Sequence, residues 1–329
     1  MITTSPRLIA LAAATATVAV GVLGQAQVSA QNFSWHDEEG QYRDLLFGDR
    51  PVARYMYEAL DTSSDEARER TYKPFHHIYD WAGEDFITKG AGGRFTHHRG
   101  IYHGFNQITY TREDGSTGRA DTWHARGDAY QEHIDFVSQE AGATSASQTT
   151  TIGWHGENGE KFATEERTLT FSYNDDGDLV VDFKATLSTD LPKVVLDGDA
   201  QHAGVQFRAH NDVDGNSGQS YYIRPDGIGN PGQERNPDNN PDKERNPGTF
   251  DLDYHVLSYA LGDDRYSVAY FVHEDNPRPS WHSERAYGRF GSYFITEFTK
   301  DEPLTVQFRF VIRKGEFTQD EAAALAAQY

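Results

Sequence analysis

Alternation of apolar and polar side chains is the dominant pattern along this chain, and a period of two sends successive side chains to opposite faces of a strand. Thr168-Leu169-Thr170-Phe171-Ser172-Tyr173 alternates in this way. So do residues 179–187 (Leu-Val-Val-Asp-Phe-Lys-Ala-Thr-Leu) and 304–312 (Leu-Thr-Val-Gln-Phe-Arg-Phe-Val-Ile). Asn174-Asp175-Asp176-Gly177-Asp178 lies between the first two and carries the turn chemistry of a hairpin. Further strands are predicted over 53–58, 105–110, 132–138, 203–209, 255–260 and 266–272. One helix is clearly signalled, at the C-terminus: Thr318 caps it, Glu321 completes a capping box, and Ala322 to Ala327 favour helix. Residues 62–70 read as a short exposed helix or as a loop. Many strands, polar turns and few helical patterns give an all-β fold, a large antiparallel two-sheet sandwich with a short C-terminal helix.

Residues 225–249 break the pattern. Five prolines (225, 231, 237, 241 and 247) stand among Asn, Asp and Gly, and Glu-Arg-Asn-Pro occurs at 234–237 and again at 244–247. Proline removes a ladder donor, so this segment is expected to be a long surface loop of the kind that forms lids or binding loops.

The N-terminus changes the picture of where the protein works. Arg7 is the only charge before the apolar run Leu8 to Leu23, and Val28-Ser29-Ala30 offers the small residues of a cleavage site. Residues 1–30 therefore read as a signal peptide cut after Ala30, and 31–329 as a single sandwich domain, periplasmic or extracellular. After the leader no stretch is long and apolar enough to span a membrane. With 30 basic and 51 acidic side chains the formal charge is −21, which disfavours nucleic acids and anionic membranes as partners. The chain has no cysteine, so no disulfide supports it, and stability must come from a large core.

Fourteen histidines concentrate in two places beside Trp, Arg and Gly. The first is Phe95-Thr96-His97-His98-Arg99-Gly100-Ile101-Tyr102-His103-Gly104. As a strand, it puts His97, Arg99, Ile101 and His103 on one face and His98 on the other. As a loop, which Gly92, Gly93 and Gly100 favour, both imidazoles can reach one centre. The second is Pro277-Arg278-Pro279-Ser280-Trp281-His282, a rigid strand exit presenting an indole and an imidazole. Glu165-Glu166-Arg167 sends one glutamate to each face of its strand, and the inward one is either an acid–base group or half of a structural ion pair. Arg208, alternating with Phe207, is a candidate clamp. Asp212-Val213-Asp214-Gly215-Asn216 spaces oxygens like a calcium loop, but Ser217 and Ile223 stand where that motif has Gly and Glu, so it reads as a turn. Phosphate-loop, zinc-helix and nucleophile-elbow motifs are absent from the sequence.

Pro74-Phe75-His76, His97-His98-Arg99-Gly100, Trp123, Glu166-Arg167, Gly204 to Arg208, Asn276-Pro277, Pro279-Ser280-Trp281 and Tyr287-Gly288 together resemble a bacterial family known as PmoA-like methane oxygenase, or DUF6807. The resemblance runs from about Arg50 to Gly315. It departs at Phe95-Thr96, where members often carry an acidic residue and another His, and 225–249 looks like an insertion. It implies an exported β-sandwich similar to the galactose-mutarotase supersandwich group, in bacteria that degrade polysaccharides. The methane-oxygenase name does not fit a chain without spanning helices after its leader.

Three functions are consistent with these residues. The leading one is a carbohydrate-active hydrolase, lyase or epimerase acting on a small or oligomeric glycoside. His97 or His98 would be its acid–base group, Glu166 the carboxylate partner and His282 a second acid. Arg99 and Arg208 would clamp substrate, with Trp281 a stacking platform and Trp123 joining the substrate-binding set. It requires no cofactor. The second is a sugar-binding protein without catalysis. The third is a metal-dependent enzyme using His97, His98 and His282 with a carboxylate around a divalent ion such as zinc or copper.

Overall fold

A computed structural model describes residues 1–2, 31–237 and 248–329. Residues 3–30, on which the expected signal peptide falls, and the second Glu-Arg-Asn-Pro copy lie outside the described residues. Residues 31–329 form one compact unit. The period-two segments form strands because alternate side chains are covered. Along Leu179–Ser188, Leu179, Val181, Phe183, Ala185 and Leu187 are buried while the residues between them reach solvent. The partner strand Leu304–Lys314 matches it in register, Val181 opposite Phe310 and Phe183 opposite Phe308. Gly177, at φ 81°, turns the preceding hairpin, and the Asn174 side chain accepts from the Asp176 and Asp178 amides.

Two large antiparallel sheets make the sandwich. The first runs, edge to edge, Phe33–Glu38, Tyr42–Phe47, Arg50–Met56, Phe75–Ile78, Ile101–Phe105, Ala203–Arg208, Arg289–Tyr293 and Trp281–Arg285. The second has nine strands, with Asp264–Val272, Leu304–Lys314, Leu179–Ser188 and Lys161–Tyr173 at its centre. Their inner faces meet in one core: Phe207 packs near Phe310, and the Tyr270 hydroxyl donates to the Val205 carbonyl across the layers. A third, four-stranded sheet, in the order Thr296–Phe298, Lys193–Asp197, Gln107–Thr111, Thr117–Ala120, is an addition to the expected two. It explains why the expected strand at 105–110 is split. Ile101–Phe105 ends in the first sheet, Asn106 breaks the line, and Gln107–Thr111 begins the small sheet.

The expected C-terminal helix is Gln319–Ala326, with the Thr318/Glu321 capping box, and of the two readings of 62–70 the helix is the one present, as Asp65–Thr71 capped by the Ser64 side chain. The segment at 225–249 holds a two-residue strand, Gly227–Ile228. Its next residues are latched onto the edge strand Trp281–Arg285. The Arg235 amide donates to Glu284, the Glu284 amide to Asn236, and the Ala286 amide to Glu234. A paired and covered edge is protected against further strand addition.

The interior also holds a complete ionic network. Glu165, fully buried, accepts from Arg167 Nε and Nη2 at 2.8 Å each, from Trp154 Nε1 at 2.8 Å and from His103 Nδ1 at 3.3 Å. Burial pushes this carboxyl up, and Arg167 and His103 outweigh it, holding the group below the usual carboxylate range. Glu165→Gln strips a buried guanidinium of its counter-charge. It should lower the unfolding free energy by about 3–5 kcal/mol in denaturant titration; an unmoved midpoint would show that the pair contributes nothing.

His76, His77 and His282 are buried, and burial pushes His77 down to about 3 and the other two well below the free imidazole value. These rings take up a proton in the unfolded chain near pH 6.5 but not in the fold. Their contribution is therefore complete above about pH 6.5 and is lost as pH falls toward the folded values, at about 1.4 kcal/mol per ring and pH unit. The thermal midpoint should fall more steeply from pH 6.5 to 5 than from 8 to 7, where only the buried lysines contribute a slope; a level profile down to pH 5 would contradict this.

Candidate functional site

Strand alternation decides which of the expected residues can meet. In Ala203–Arg208, Val205 and Phe207 enter the sandwich, so Gln206 and Arg208 face the other side of the first sheet. Register places Arg208 directly opposite Arg289 on the next strand. Tyr102 is opposite Gln206 on the strand before, and so joins the same face. Two loops cover this outer face: residues 94–100, and the turn 121–124 with its neighbour 198–202.

The first loop is seated by Gly100. A Cβ there would lie 2.2 Å from the His76 carbonyl oxygen, so only glycine lets the chain approach the sheet this closely. The Gly100 carbonyl in turn accepts from the Arg208 amide at 2.8 Å. Phe95 sits at φ 54°, and the His98 amide donates to its carbonyl, so the His-His-Arg stretch is a turn and not a strand. Consecutive imidazoles can then face one region: the His97 and His98 ring centroids are 4.4 Å apart.

The other two imidazoles come from Asp-x-x-His turns. In Asp121-Thr122-Trp123-His124 the aspartate accepts from the His124 amide at 2.8 Å and from His124 Nδ1 at 2.9 Å. In Asp199-Ala200-Gln201-His202 it accepts from the Gln201 amide at 2.9 Å and from His202 Nδ1 at 2.8 Å, while Asn106 Nδ2 holds its second oxygen at 2.8 Å. A ring whose Nδ1 donates to a carboxylate presents the Nε2 lone pair outward, the arrangement found behind metal-bound histidines. His97, His124 and His202 each offer a nitrogen, and these atoms lie within 4.8 Å of one another. Zinc at about 2.0–2.1 Å from each nitrogen needs donors roughly 3.3 Å apart, so the rings must draw together from the present spacing to close on an ion. Burial, then the neighbouring His124 and Lys73, push His97 down to about 2, so its ring is neutral and free to ligate at physiological pH.

Around this trio lies an aromatic and cationic lining. Trp123 is fully buried, its ring 6.0 Å from both His98 and His202. His98 is 2% exposed, and burial followed by His97, Arg289 and Arg208 holds it well below the free imidazole value. Tyr287 lies beside His98 and over Arg208, and Phe95 packs on Tyr287. Lys73 donates to the His97 and Trp123 carbonyls, and Lys89 to those of Gly90, Gly92 and His98. Burial, with Arg99 and Arg208, pushes Lys89 down to about 7. Two surface clefts lie elsewhere, one beside the C-terminal helix and one lined by Asp80, Asp85 and Asp264.

The structure thus brings His97, His98, Arg99, Trp123 and Arg208 to one face. Arg99 is fully buried and donates to the Thr96, His98 and Glu69 carbonyls, so it fastens the loop instead of reaching outward. Glu166 is corrected: it is exposed, because the phase of Lys161–Tyr173 turns Glu165 inward, into the ionic network of the core. His282 is corrected too. It pairs with Ser292, on the interior face of its strand, near His255 and Tyr270, and so cannot join His97 and His98. Trp281 lies on the outer face but is 4% exposed against Phe250 and Tyr293, which leaves it little open surface for stacking a sugar. His124 and His202, candidate ligands here, are not singled out by the sequence reading, and the repeated Asp-x-x-His spacing is the signal that could have found them. Residues 211–219, which include the calcium-like stretch, form a 3₁₀ segment.

Among solved structures, an aldose epimerase homologue from C. elegans aligns with 87% of this chain and 100% of its own, at 9% identity and a TM-score of 0.32. A galactose mutarotase related enzyme from Lactobacillus acidophilus aligns over 88% of this chain and 99% of its own, at 10% identity and 0.35. Heparinase III aligns over 88% of this chain and 36% of its own, at 10% identity and 0.33. Likenesses at this level carry no activity across. No curated protein sequence matches the chain. The model of a family of unknown function, DUF6807, matches residues 43–327, and the chain belongs to that family.

Proposed function

We propose that this protein is a metal-dependent enzyme acting on carbohydrate-type substrates, with one divalent ion of the zinc or copper class held by His97, His124 and His202. The observation that carries this reading is the convergence of three imidazole nitrogens, two of them backed by aspartates. Three protein ligands suit a catalytic ion, since they leave a coordination position for water or a substrate oxygen. An ion placed there polarises a substrate oxygen or lowers the pKa of a bound water. Carboxylate-pair glycoside hydrolysis needs two carboxyl groups free to act. Asp121 and Asp199, the ones beside the trio, are each committed to an imidazole. This favours metal-assisted chemistry over a glycosidase pair. The sugar class is supported by the family resemblance and by the buried polar atoms of Trp123, Tyr102 and Arg208, which have no partner among the described residues. Export, with the leader removed after Ala30, belongs to the same reading and rests on the N-terminal pattern.

Untagged protein dialysed against trace zinc or copper should carry about one equivalent by elemental analysis. His124→Ala should lose most of it, and Asp121→Asn should bind about 10–100-fold more weakly. Less than a tenth of an equivalent on the wild type would overturn the reading. Incubation with plant and algal oligosaccharides, followed by mass and anomeric-proton spectra, should show turnover that EDTA abolishes and zinc or copper restores. Turnover indifferent to chelation would separate the enzyme from its ion.

A further inference from the structure

The chain shows repeatedly how it satisfies an arginine. Arg54, Arg167, Arg224, Arg309 and Arg313 each turn the Nε–Nη2 edge to a carboxylate, holding Asp44, Glu165, Glu284, Asp182 and Asp178 through two parallel bonds. This is the geometry in which a guanidinium binds an oxyanion best. Arg208 and Arg289 differ. Both are fully buried, and both are tied to the protein through Nη1 alone: Arg208 to the Ala209, His210 and Tyr287 carbonyls, Arg289 to Gln206 Oε1 and Ser283 Oγ. Their Nε and Nη2 atoms have no partner.

Arg208 and Arg289 are opposite residues of neighbouring strands, so both guanidiniums rise from adjacent positions on the outer face of the sheet. Like charges so placed repel each other, and a buried cation without a counter-charge is costly. Burial first, with Arg289 contributing, pushes Arg208 down to about 10, so it remains charged at neutral pH. The Tyr102 hydroxyl and both His98 nitrogens are likewise buried without partners. Lys73, Lys89 and Arg99, close by, donate only to backbone carbonyls. Among the described residues none of these five cations forms an ion pair. Carboxylates act on these cations only without direct contact, Asp121 on Lys73, Glu69 on Lys89 and Asp214 on Arg208.

We propose that the Nε–Nη2 edges of Arg208 and Arg289 form a receptor for an oxyanion substituent of the substrate, the carboxylate of a uronic acid or a sulfate ester on a sugar. The place of reaction rests on the metal-centre reading; the anion's binding does not. Two side-on forks offer four N–H donors, enough to saturate the oxygens of one carboxylate or most of those of one sulfate. His98, adjoining His97 on one side and the arginine pair on the other, would then lie between the anion and the ion. Tyr287 lies over Arg208, and Phe95 packs on Tyr287, so these two side chains cover the pair on one side.

The test is calorimetric titration of the wild type, both metal-loaded and EDTA-treated, with D-glucuronate, D-glucose 6-sulfate and D-glucose. At least one of the two anionic sugars should bind tenfold or more tightly than D-glucose in both preparations, and which one does so identifies the oxyanion. Arg289→Gln should erase that preference, and Arg289→Lys, which keeps charge but not the fork, should retain only part of it. Arg208→Gln serves as the second variant, and unfolding midpoints and metal content show that each variant folds. Equal affinity for all three sugars, no binding of either anion, or an undiminished preference in both glutamine variants would overturn the proposal. Wild type that binds no metal yet prefers an anionic sugar would sink the metal reading and leave this one standing.

Discussion

The two-residue alternation of Ala203–Arg208 and Arg289–Tyr293 is the constraint on which the rest of this molecule depends. It sends Val205, Phe207, Phe290 and Ser292 into the sandwich, where the second sheet covers them, and commits Gln206, Arg208 and Arg289 to the opposite face. A strand cannot share its side chains differently without slipping register, and a slip of one residue would exchange the two sets. The guanidiniums are therefore held under the loops by the same hydrogen-bond ladder that builds the core. Their burial is a cost that packing of the inner face must offset.

That cost is distributed unevenly. On the inner side, charges are matched: Glu165 meets Arg167, and Glu284 meets Arg224 and His255. On the outer side, polar atoms of His98, Tyr102, Trp123, Arg208 and Arg289 are buried with nothing to bond. Unpartnered atoms also occur on the inner side, at His76, His255 and His282, so what sets the outer side apart is that two of its unpartnered groups are guanidiniums.

This contrast also explains what could be read from the sequence. Strands with one wet face, such as Leu179–Ser188 and Leu304–Lys314, declare themselves by alternation. Ile101–Phe105 and Arg289–Tyr293 are buried on both faces, one packed with apolar groups and the other with site chemistry, so no clean period marks them. The capping box at Thr318 was legible because its signal is local. His97 and His98 were visible as neighbours in sequence, whereas His124 and His202 stand far apart along the chain and meet only through the fold. Leu169 and Phe171, on the apolar face of the same strand, share their phase with Glu165, so the inward glutamate is legible in the sequence as Glu165 and not Glu166. His282, one residue out of phase with Trp281, takes the inner face, which no alternating pattern in its short strand marks.

The small third sheet links these observations. Thr117–Ala120 and Lys193–Asp197 flank Gln107–Thr111 and, both being antiparallel to it, run in the same direction toward the same end. Each leads straight into one of the Asp-x-x-His turns. Asn106, where the chain leaves the first sheet for this one, holds Asp199 by hydrogen bond. Two strands separated by one neighbour stand roughly 9.6 Å apart whatever the loops around them do. The sheet therefore acts as a spacer of fixed width: segments elsewhere, the 225–249 stretch among them, can lengthen or shorten over evolutionary time without altering the gap between those two rings. A single-residue insertion inside any of these three strands would reset it.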